Sequence, residues 1–234
     1  MTRFRLVTYN IHKCRGLDWK VSPYRILNVL QDIRADIIAL QEAFEEQVRF
    51  FAERLDMHVA FGCARHLESR PYGNAVLSRG AVLSSRCHDL SVTRREPRGC
   101  LRVDVQIAED LMIHVFAVHL GTSYFERRRQ AGKLVSSDVL EAPDAKGLRI
   151  LAGDFNEWTH GLVTRTLSHY MRSADLVTHL GRTRSYPGLA PFLHLDHLYY
   201  DAAIHLTALR LHRTAVSLVP SDHLPLIGDF EVTH

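Results

Sequence analysis

Hydrophobic positions along the chain form short runs that alternate with stretches of helical spacing. Residues 4–9 predict a first strand, and Ser22 with Pro23 then supplies an N-cap and a first-turn proline for a helix. The apolar positions of that helix are Ile26, Leu27, Leu30 and Ile33. Residues 36–40 predict a second strand and residues 45–55 a second helix. The chain therefore opens as strand, helix, strand, helix.

The rest of the chain continues this alternation. Residues 57–107 carry shorter apolar runs between Gly, Pro and charged turns, which predict a mostly antiparallel section. The remaining predicted elements are strands at 111–120, 148–153, 195–200 and 224–232, a possible strand at 204–211, and helices at 123–140 and 162–170. Alternating strands and helices favour a layered α/β fold. Residues 181–191 read as a loop, and without a linker or repeat we expect one domain over residues 1–234.

The composition is that of an ordinary globular domain. The 234 residues are 46% hydrophobic and 24% charged, and the formal net charge is +3. This balance excludes disorder, and it lacks the dense basic stripe typical of nucleic-acid binders. The four cysteines have no CxxC spacing, which excludes a zinc ribbon and predicts free thiols in a reducing compartment.

Polar groups that ligate metals or transfer protons gather where four predicted strands end. These groups are Asn10, Gln41-Glu42, His119 and Asp154, with Asn156 two residues further on. Because ligand sites form at strand ends in layered α/β folds, we expect the side chains to share one cleft. Two later clusters, Asp196-His197 and Ser221-Asp222-His223, could add an imidazole beside a metal-binding carboxylate.

The donor types in this set point to a hard divalent cation. The set comprises the carboxylates Glu42, Asp154 and Asp222, the amides Asn10 and Asn156, and the imidazoles His119 and His223. Oxygen ligands in small number, without cysteine, favour Mg²⁺ or Mn²⁺, which usually bind substrate phosphate as well. Histidines beside such an ion supply donors to phosphoester oxygens, which fits hydrolysis by attack of water.

Each position also has a simpler explanation. Asn10 is a common turn or cap residue, and Glu42 could begin a helix. The GDFN segment could be a turn in which Asp154 and Asn156 bond their own backbone, and SDH could be a cap. These explanations would have to hold for all the positions at once and in order, so we favour the functional interpretation.

The chemistry-bearing residues lie in a series of motifs. The motifs are TYNIHKC with Asn10, ALQE with Glu42, GNAVLSR with Asn74, FAVHL with His119, GDFN with Asp154 and Asn156, LDHLYY with Asp196, and SDHLPL with Asp222 and His223. In this order they resemble the motifs of the endonuclease/exonuclease/phosphatase superfamily, which includes DNase-I-like nucleases, abasic-site endonucleases, sphingomyelinases and inositol polyphosphate phosphatases. The resemblance implies a four-layer α/β/β/α sandwich, with two mixed β-sheets packed face to face and helices outside.

The resemblance also implies a role for each matched residue. Asn10 and Glu42 would hold the principal Mg²⁺, for which Mn²⁺ could substitute, and Asp222 would lie close to that ion or to a second one. Asp154 would align or deprotonate the attacking water. Asn156 would donate hydrogen bonds to the phosphate.

The two histidines take separate roles under the same resemblance. His223 would contact a non-bridging oxygen or transfer a proton, oriented by Asp196, because a carboxylate on one ring nitrogen fixes the tautomer and points the other nitrogen at substrate. His119 would protonate the leaving oxygen or stabilise the phosphorane. FAVHL resembles the DNase-I-like, sphingomyelinase and related phosphodiesterase branches, whereas abasic-site endonucleases usually carry a tyrosine motif there, which argues against abasic-site repair.

Substrate-binding residues are expected in loops at the strand ends, where function is commonly presented. The candidates are Asn74, Arg98 and Arg184, with Arg94, Arg95 and Arg182 in the same two loops. The run Arg127-Arg128-Arg129 is more typical of a solvated helix face. Tyr186 and Phe192 could stack on a base, contact a lipid, or pack beneath their loop.

The predicted function is a Mg²⁺-dependent phosphodiesterase or nuclease. Nucleic acid and phospholipid or small phosphoester substrates stay equally open, because the chain is short for long DNA-grasping insertions or a membrane-active hairpin. The alternative is a non-catalytic binding module that keeps the sandwich as a scaffold. No window approaches a membrane span of about 20 apolar residues, and the N-terminus does not resemble a signal peptide, so we expect a cytoplasmic protein with no obligate protein partner.

Overall fold

A computed structural model describes residues 1–157, 161–174, 185–187 and 193–233. The strands within these ranges are β1 (Thr2–Asn10), β2 (Ile37–Phe44), β3 (His58–Leu67), β4 (Arg70–Ser78), β5 (Val82–Asp89), β6 (Gly99–Ala108), β7 (Leu111–His119), β8 (Leu148–Asp154), β9 (Arg172–Ser173), β10 (Asp196–Tyr200), β11 (Ile204–Leu211) and β12 (Leu226–Val232). The α-helices are α1 (Pro23–Ile33), α2 (Glu45–Leu55), α3 (Tyr124–Leu134) and α4 (Leu162–Leu167).

The strands form two six-stranded sheets of matching design. The first has the order β11-β12-β1-β2-β4-β3 and the second the order β5-β6-β7-β8-β10-β9. Each sheet is mixed, because β1 and β2 pair in parallel in one and β7 and β8 in the other, while the remaining pairs are antiparallel. The predicted fold class is therefore confirmed.

Three hydrophobic clusters define the four layers. The central cluster joins the inner faces of the two sheets, with Leu6 and Val76 from the first and Val103 and Ile150 from the second. A second cluster packs α1 and α2 on the outer face of the first sheet. A third packs α3 and α4 on the outer face of the second sheet. The helices thus cover both outer faces, as an α/β/β/α sandwich requires.

Several predicted boundaries need correction. The predicted helix 123–140 ends at Leu134, because the Ser136 hydroxyl accepts a bond from the Asp138 amide and competes with the helical pattern. The predicted antiparallel section 57–107 is divided, since β3 and β4 belong to the first sheet and β5 and β6 to the second. Helices α1 and α2 are confirmed at the predicted positions.

Two structural features agree with other expectations. The four cysteines are free thiols, as predicted. Among the described residues, no helix is both long enough and apolar enough to cross a membrane.

The parallel strand pairs bring chemistry-bearing residues to one end of the sandwich. In each pair the chain crosses over through helices on the outer face, so both strands of the pair end at the same edge. Asn10 ends β1, His119 ends β7 and Asp154 ends β8. Strand β12 runs antiparallel to β1, with Thr8 opposite Leu226, so the segment just before β12 also reaches this edge.

Gly153 permits the close approach of β8 to β7 at this edge. Its φ is +154°, and a Cβ atom there would lie 2.0 Å from the Val118 carbonyl oxygen. Only glycine avoids that overlap at such a φ. The position of the next residue, Asp154, depends on this contact.

Candidate active site

Asp154 lies at the centre of a polar cluster at the end of the second sheet. Its register partner on β7 is His119, and its partner on β10 is Asp196. Asp154, Asp196 and His119 are all buried. The fold thus places three chemistry-bearing side chains on adjacent strands.

Asn10 connects the two sheets across this edge. Its Nδ2 donates to Glu42 Oε1 at 3.2 Å and to Asp154 Oδ2 at 3.0 Å. Its Oδ1 accepts a hydrogen bond from the His12 amide at 3.0 Å. Asn10 therefore does bond the backbone of its own turn, as the simpler explanation held. The same side chain also brings together two carboxylates from different sheets.

Glu42 reaches the cluster through an irregularity in β2. The pairing of β2 with β4 shifts register between Leu40 and Ala43, and Glu42 has a φ of +56°. A left-handed conformation in a non-glycine residue is uncommon and clusters at functional sites. In a regular strand successive side chains would point to alternate faces of the sheet at this position. The bulge instead turns the Glu42 side chain towards Asn10.

A tight turn after β1 places positive charge beside Glu42. His12, Lys13 and Cys14 have φ values of +43°, +58° and +60°. The turn brings Lys13 Nζ to 3.4 Å from Glu42 Oε2. Burial opposes ionisation of Glu42, but His119, Lys13 and the bond from Asn10 outweigh it and lower the pKa of Glu42 to about 2.

His223 and Asp196 form a buried pair. His223 Nδ1 donates to Asp196 Oδ2 at 2.9 Å, and Asp196 is fully buried. Burial lowers the pKa of His223, but the carboxylates of Asp196 and Asp154 reverse that effect and raise it to about 10. The predicted pairing is thus observed, and the second ring nitrogen, Nε2, is directed at Asp154 Oδ2 at 3.6 Å.

His119 occupies the other side of Asp154. Its Nε2 lies 3.7 Å from Asp154 Oδ2 and 4.0 Å from Glu42 Oε1. Arg98 Nη1 lies 2.9 Å from His119 Nδ1 and 3.1 Å from His119 Nε2, so it contacts the ring at both nitrogens. Burial, followed by the positive charge of Arg98, lowers the pKa of His119 to about 4. The site therefore contains one imidazole that is neutral at pH 7 and one that is charged.

Arg98 is itself held by an acidic neighbour. Its Nη2 donates to Glu96 Oε2 at 2.6 Å, and the other carboxylate oxygen of Glu96 bonds Arg65. Arg98 therefore lies in the cluster, as the sequence predicted for a residue near the substrate, and Glu96 fixes its orientation.

Asp222 and Asn156 lie at the edge of the cluster. Asp222 Oδ1 is 3.4 Å from His12 Nδ1, and its side chain is partly exposed. The neighbouring Ser221 hydroxyl donates to the Asn10 carbonyl at 2.8 Å, which fixes this loop to the end of β1. Asn156 has a φ of +50°, and its Nδ2 donates to the Leu120 carbonyl at 2.9 Å.

The other two predicted substrate-binding residues are Asn74, which lies away from the cluster, and Arg184, which the structure does not describe. The Asn74 amide lies between the sheets and donates to the carbonyls of Gly99 at 2.9 Å and Ala117 at 3.2 Å. Arg184 lies outside the described residues, as do Arg182 and Phe192. Tyr186 is described, and its ring centroid lies 5.0 Å from that of His223.

Comparison with known proteins decides the family. Residues 7–223 match the family model described as the endonuclease/exonuclease/phosphatase family. This chain belongs to the endonuclease/exonuclease/phosphatase family. The uncharacterized protein YbhP of Escherichia coli K12 is 31% identical in an alignment 254 residues long. The alignment covers 98% of this chain and 96% of YbhP.

Solved structures of the endonuclease/exonuclease/phosphatase fold superpose on nearly the whole chain. The catalytic domain of human Nocturnin, which has a bound sulfate anion, matches with a TM-score of 0.79 and 20% identity, covering 99% of this chain and 95% of that one. The mannosyl-6-phosphatase of Bacteroides thetaiotaomicron matches with a TM-score of 0.77 and 17% identity, covering 99% and 100%. At these identities the fold is shared, and it is the fold of a phosphoester hydrolase family.

The cluster offers this family member a donor set that suits a hard cation. Glu42 is ionised, and Asn10 and Asp222 supply further oxygen atoms. In the ranges described above, no three His, Cys, Asp or Glu side chains form a ready-made metal cluster. Carboxylate and amide oxygens are ligands that suit Mg²⁺, which is usually held by one or two carboxylates and keeps several waters.

The sequence analysis did not identify three neighbours of the polar cluster around Asp154, namely Lys13, Glu96 and Tyr72. Lys13 follows Asn10 within the same motif, so its spacing was the available signal. For Glu96 the available signal was its position two residues before Arg98. Nothing in the sequence indicated Tyr72. The Tyr72 hydroxyl lies beside the Glu42 carboxylate, and burial together with the charge of Glu42 raises the pKa of Tyr72.

The arginine run on α3 also differs from expectation. Arg127 is buried, and its Nη1 donates to the carbonyls of Gly121 at 3.2 Å and Thr122. It therefore stabilises the loop that follows His119. Arg128 and Arg129 are exposed, as predicted for a solvated face.

Proposed function

We propose that this protein hydrolyses a phosphodiester bond with the aid of a bound Mg²⁺ ion, for which Mn²⁺ can substitute. Water attacks phosphorus, the phosphorus bond to the leaving oxygen breaks, one proton leaves the water and one proton reaches the leaving oxygen. The family's hydrolase fold supports the reaction class. The metal and the diester substrate are the proposed details.

One observation carries the proposal. Asp154 Oδ2 is 3.0 Å from Asn10 Nδ2, 3.7 Å from His119 Nε2 and 3.6 Å from His223 Nε2. The two histidine contacts exceed hydrogen-bond length, so the imidazoles face the carboxylate without being bonded to it. A carboxylate flanked in this way can take a proton from water while two imidazole N–H groups face the oxygens of a phosphate.

The metal would be held by Glu42, with Asn10 and Asp222 beside it. When bound, the ion would act as a Lewis acid on a phosphoryl oxygen and help to orient the phosphate. The low pKa of Glu42 means that this carboxylate is ionised at neutral pH and available as a ligand.

The remaining groups bind and orient the phosphate. Asp196 fixes His223 so that its Nε2–H faces the reacting phosphorus, and the positive charge on His223 offsets charge on the non-bridging oxygens. Arg98 orients the His119 ring, whose Nε2 is 3.7 Å from Asp154 Oδ2 and would face the leaving oxygen. The Asn156 amide is placed to donate to the phosphate with the hydrogen that Leu120 does not use.

Hydrolysis of bis(p-nitrophenyl) phosphate tests the reaction class. We expect turnover with Mg²⁺ or Mn²⁺, loss with chelator, and recovery on adding excess metal. His223→Ala should lower kcat by about 100-fold or more, because removal of one preorganised donor costs roughly that much. His205→Ala is the matched control, since His205 is an exposed histidine on β11. Equal activity in both variants would overturn the role of His223.

A substrate panel tests the physiological class. Plasmid DNA, RNA, phospholipid vesicles and soluble phosphoesters are each incubated with Mg²⁺ and the products separated. Cleavage of a diester in the panel supports the proposal. Release of inorganic phosphate from monoesters alone would replace it with a phosphatase, and a folded protein without any turnover would favour the non-catalytic binding module.

A further inference from the structure

A basic groove lies between the β5–β6 loop and helix α3. It has a volume of about 660 Å³, and its lining includes Arg94 and Arg95 on the loop side and Arg128 and Arg129 on the helix side. The structure thus brings together two arginine pairs that are more than 30 residues apart in the chain. We call this feature the arginine groove.

The arginines of the groove lack acidic partners, unlike several other arginines at the surface. Arg3, Arg49 and Arg86 are exposed and Arg70 is half-buried, and each of these forms an ion pair with a carboxylate. Within the described part of the chain, no Asp or Glu forms an ion pair with any of the four groove arginines. Unpaired cations that share a concave surface repel one another and attract an anion with several charges.

One carboxylate lines the floor of the groove. Glu126 is buried, packs against the backbone at Gly121 and accepts a bond from Gln130 Nε2 at 3.4 Å. It is directed towards the loop under the groove and pairs with none of the arginines. The groove therefore keeps an excess of positive charge.

The arginine groove adjoins the catalytic cluster on both of its walls. On the loop side, Arg95 is three residues from Arg98, which bonds His119. On the helix side, Arg127 bonds the Gly121 carbonyl two residues after His119. Lys133 ties the walls together by donating from Nζ to the Ser91 carbonyl at 2.8 Å. The loop and the helix that carry the groove arginines thus each lead into a contact at His119 or at the segment that follows it, so an anion held in the groove lies on the His119 side of the cluster.

Two exposed aromatic rings stand at the helix end of the groove. Phe125 is 73% exposed and Tyr124 is 52% exposed, and their rings meet edge to face at 5.6 Å. Exposed aromatic rings beside arginines are the elements with which proteins bind single-stranded nucleic acids, by stacking on bases and pairing with phosphates. A base must be unpaired to stack on such a ring.

The shape of the groove distinguishes between two polyanionic surfaces. A phospholipid bilayer presents a broad surface that cannot enter a cleft with arginines on facing walls. A single strand can lie in that cleft, because each of its residues carries a phosphate and successive phosphates are contacted from both sides. The concave arrangement favours the strand.

We propose that the arginine groove binds the phosphates of a single-stranded nucleic acid next to the scissile bond, with Phe125 stacking on a base. The inference rests on the proposed function for the identity of the neighbouring site. It narrows the substrate to an extended single-stranded polynucleotide.

Binding of a fluorescein-labelled oligothymidylate, followed by anisotropy in the presence of chelator, tests the groove without any hydrolysis. Arg94→Ala/Arg95→Ala and Arg128→Ala/Arg129→Ala should each weaken binding at least tenfold at low salt. The slope of log Kd against log salt should become shallower by about 1.4 in each, since a single-stranded phosphate contact contributes about 0.7. Phe125→Ala should weaken binding roughly 5- to 150-fold, the range for loss of one stacked base.

Matched controls use residues that share the chemistry but lie elsewhere. Arg54→Ala/Arg172→Ala removes the same charge from two exposed positions on α2 and β9, and Tyr170→Ala removes an exposed ring after α4. Both control variants should bind within twofold of the native protein. Thermal unfolding checks that each variant is folded.

The outcomes separate the groove from the catalytic proposal. Absence of oligonucleotide binding, or equal binding by groove and control variants, overturns the groove even if the protein hydrolyses bis(p-nitrophenyl) phosphate. Groove-dependent binding without hydrolysis supports the groove and overturns the hydrolase. Groove-dependent sedimentation with phosphatidylglycerol vesicles, without oligonucleotide binding, replaces the strand by a membrane surface.

Discussion

Strand β7 carries a buried histidine in each of two polar networks, and the networks differ in how completely they are bonded. Near the start of β7, His114 Nδ1 lies 2.6 Å from Asp104 Oδ1. Arg102 donates from Nε to the same oxygen at 2.9 Å, and Ser84 donates to Asp104 Oδ2 at 2.7 Å. Every carboxylate oxygen of this network, which we call the Asp104 network, has at least one donor.

At the other end of β7, the polar cluster around Asp154 is less completely bonded. Within the described part of the chain Asp196 Oδ1 is buried without a hydrogen-bond partner, and the two imidazoles approach Asp154 only to 3.6 and 3.7 Å, although both Asp154 oxygens accept hydrogen bonds from Asn156 and Asn10. Burying an unsatisfied polar group costs about 1–3 kcal/mol. The comparison indicates that the Asp104 network stabilises the fold, whereas the polar cluster around Asp154 keeps bonding capacity that the proposed hydrolysis would use for its substrate.

The largest expected difference concerns Asp154. Asp154→Asn should lower kcat on a phosphodiester by about 10³-fold, because a general base typically contributes 10²- to 10⁴-fold. Its free energy of unfolding should stay the same or rise, since one of several crowded carboxylates becomes neutral. Initial rates and urea unfolding measure the two effects. Asp104→Asn serves as the reciprocal control, with activity retained in the fraction that is folded.

The second effect is the loss of stability in Asp104→Asn. Removing one partner of a buried ionic network costs about 3 kcal/mol or more, because Arg102 keeps only its pair with the exposed Asp144 and His114 loses its carboxylate. Urea unfolding with an unchanged m-value measures this loss. If Asp104→Asn were as stable as the native protein, the structural role of the network would be wrong.

The same network predicts a pH dependence of stability. Burial opposes ionisation of Asp104, but the bonds from Arg102, His114 and Ser84 outweigh it and lower the pKa of Asp104. A lowered folded-state pKa adds stability above the unfolded value of about 3.9, and that contribution is lost as pH falls through the folded pKa. The difference in unfolding free energy between native protein and Asp104→Asn should therefore shrink below about pH 4.

A smaller effect is expected at Asp196, a positioning residue. Asp196→Asn should lower kcat about 10- to 100-fold, the usual cost of losing a carboxylate that orients a histidine. The pKa of His223, about 10 in the native protein, should fall towards the ordinary value of about 6.5. NMR titration of the ring protons in the presence of chelator measures this shift. A purely structural role would lower stability while leaving the His223 titration unchanged.

Much of the site follows from the order of elements in the sequence. Asn10, His119 and Asp154 end strands that pair in parallel with a neighbour, and parallel pairing brings strand ends to one edge. His223 precedes a strand antiparallel to β1, which returns it to the same edge. The periodicity of apolar residues predicts where these strands begin and end, and the layered α/β fold predicts that the polar strand ends share one edge.

Other features depend on contacts that periodicity does not encode. The φ of Glu42 reflects the bulge against β4, and the pairing of β4 with β2 is non-local. Alternation gives the face of a strand but not its partner, so the division of residues 57–107 between two sheets was not predicted. Nor does the sequence of α3 alone reveal that Arg128 faces Arg94 across a groove.

The smallest expected effect concerns Glu96, which orients Arg98 from outside the cluster. Because the Glu96 side chain is 40% exposed, its pair with Arg98 is worth only about 0.2–1 kcal/mol. Glu96→Gln should therefore lower kcat/KM by roughly two- to fivefold, through an Arg98 side chain that orients His119 less strictly. The effect should grow at low salt, where solvent screening of exposed charges is weaker.

Glu68→Gln is the matched control for this last change, since Glu68 is exposed and bonds Arg70 at 2.8 Å on a hairpin. Both variants remove one carboxylate from an arginine, but only Glu96 is connected to His119 through its partner. A lower kcat/KM in Glu96→Gln alone would show that orientation of Arg98 contributes to the reaction. Equal kinetics in the two variants would limit Glu96 to a surface ion pair and leave Arg98 to be positioned by the loop backbone.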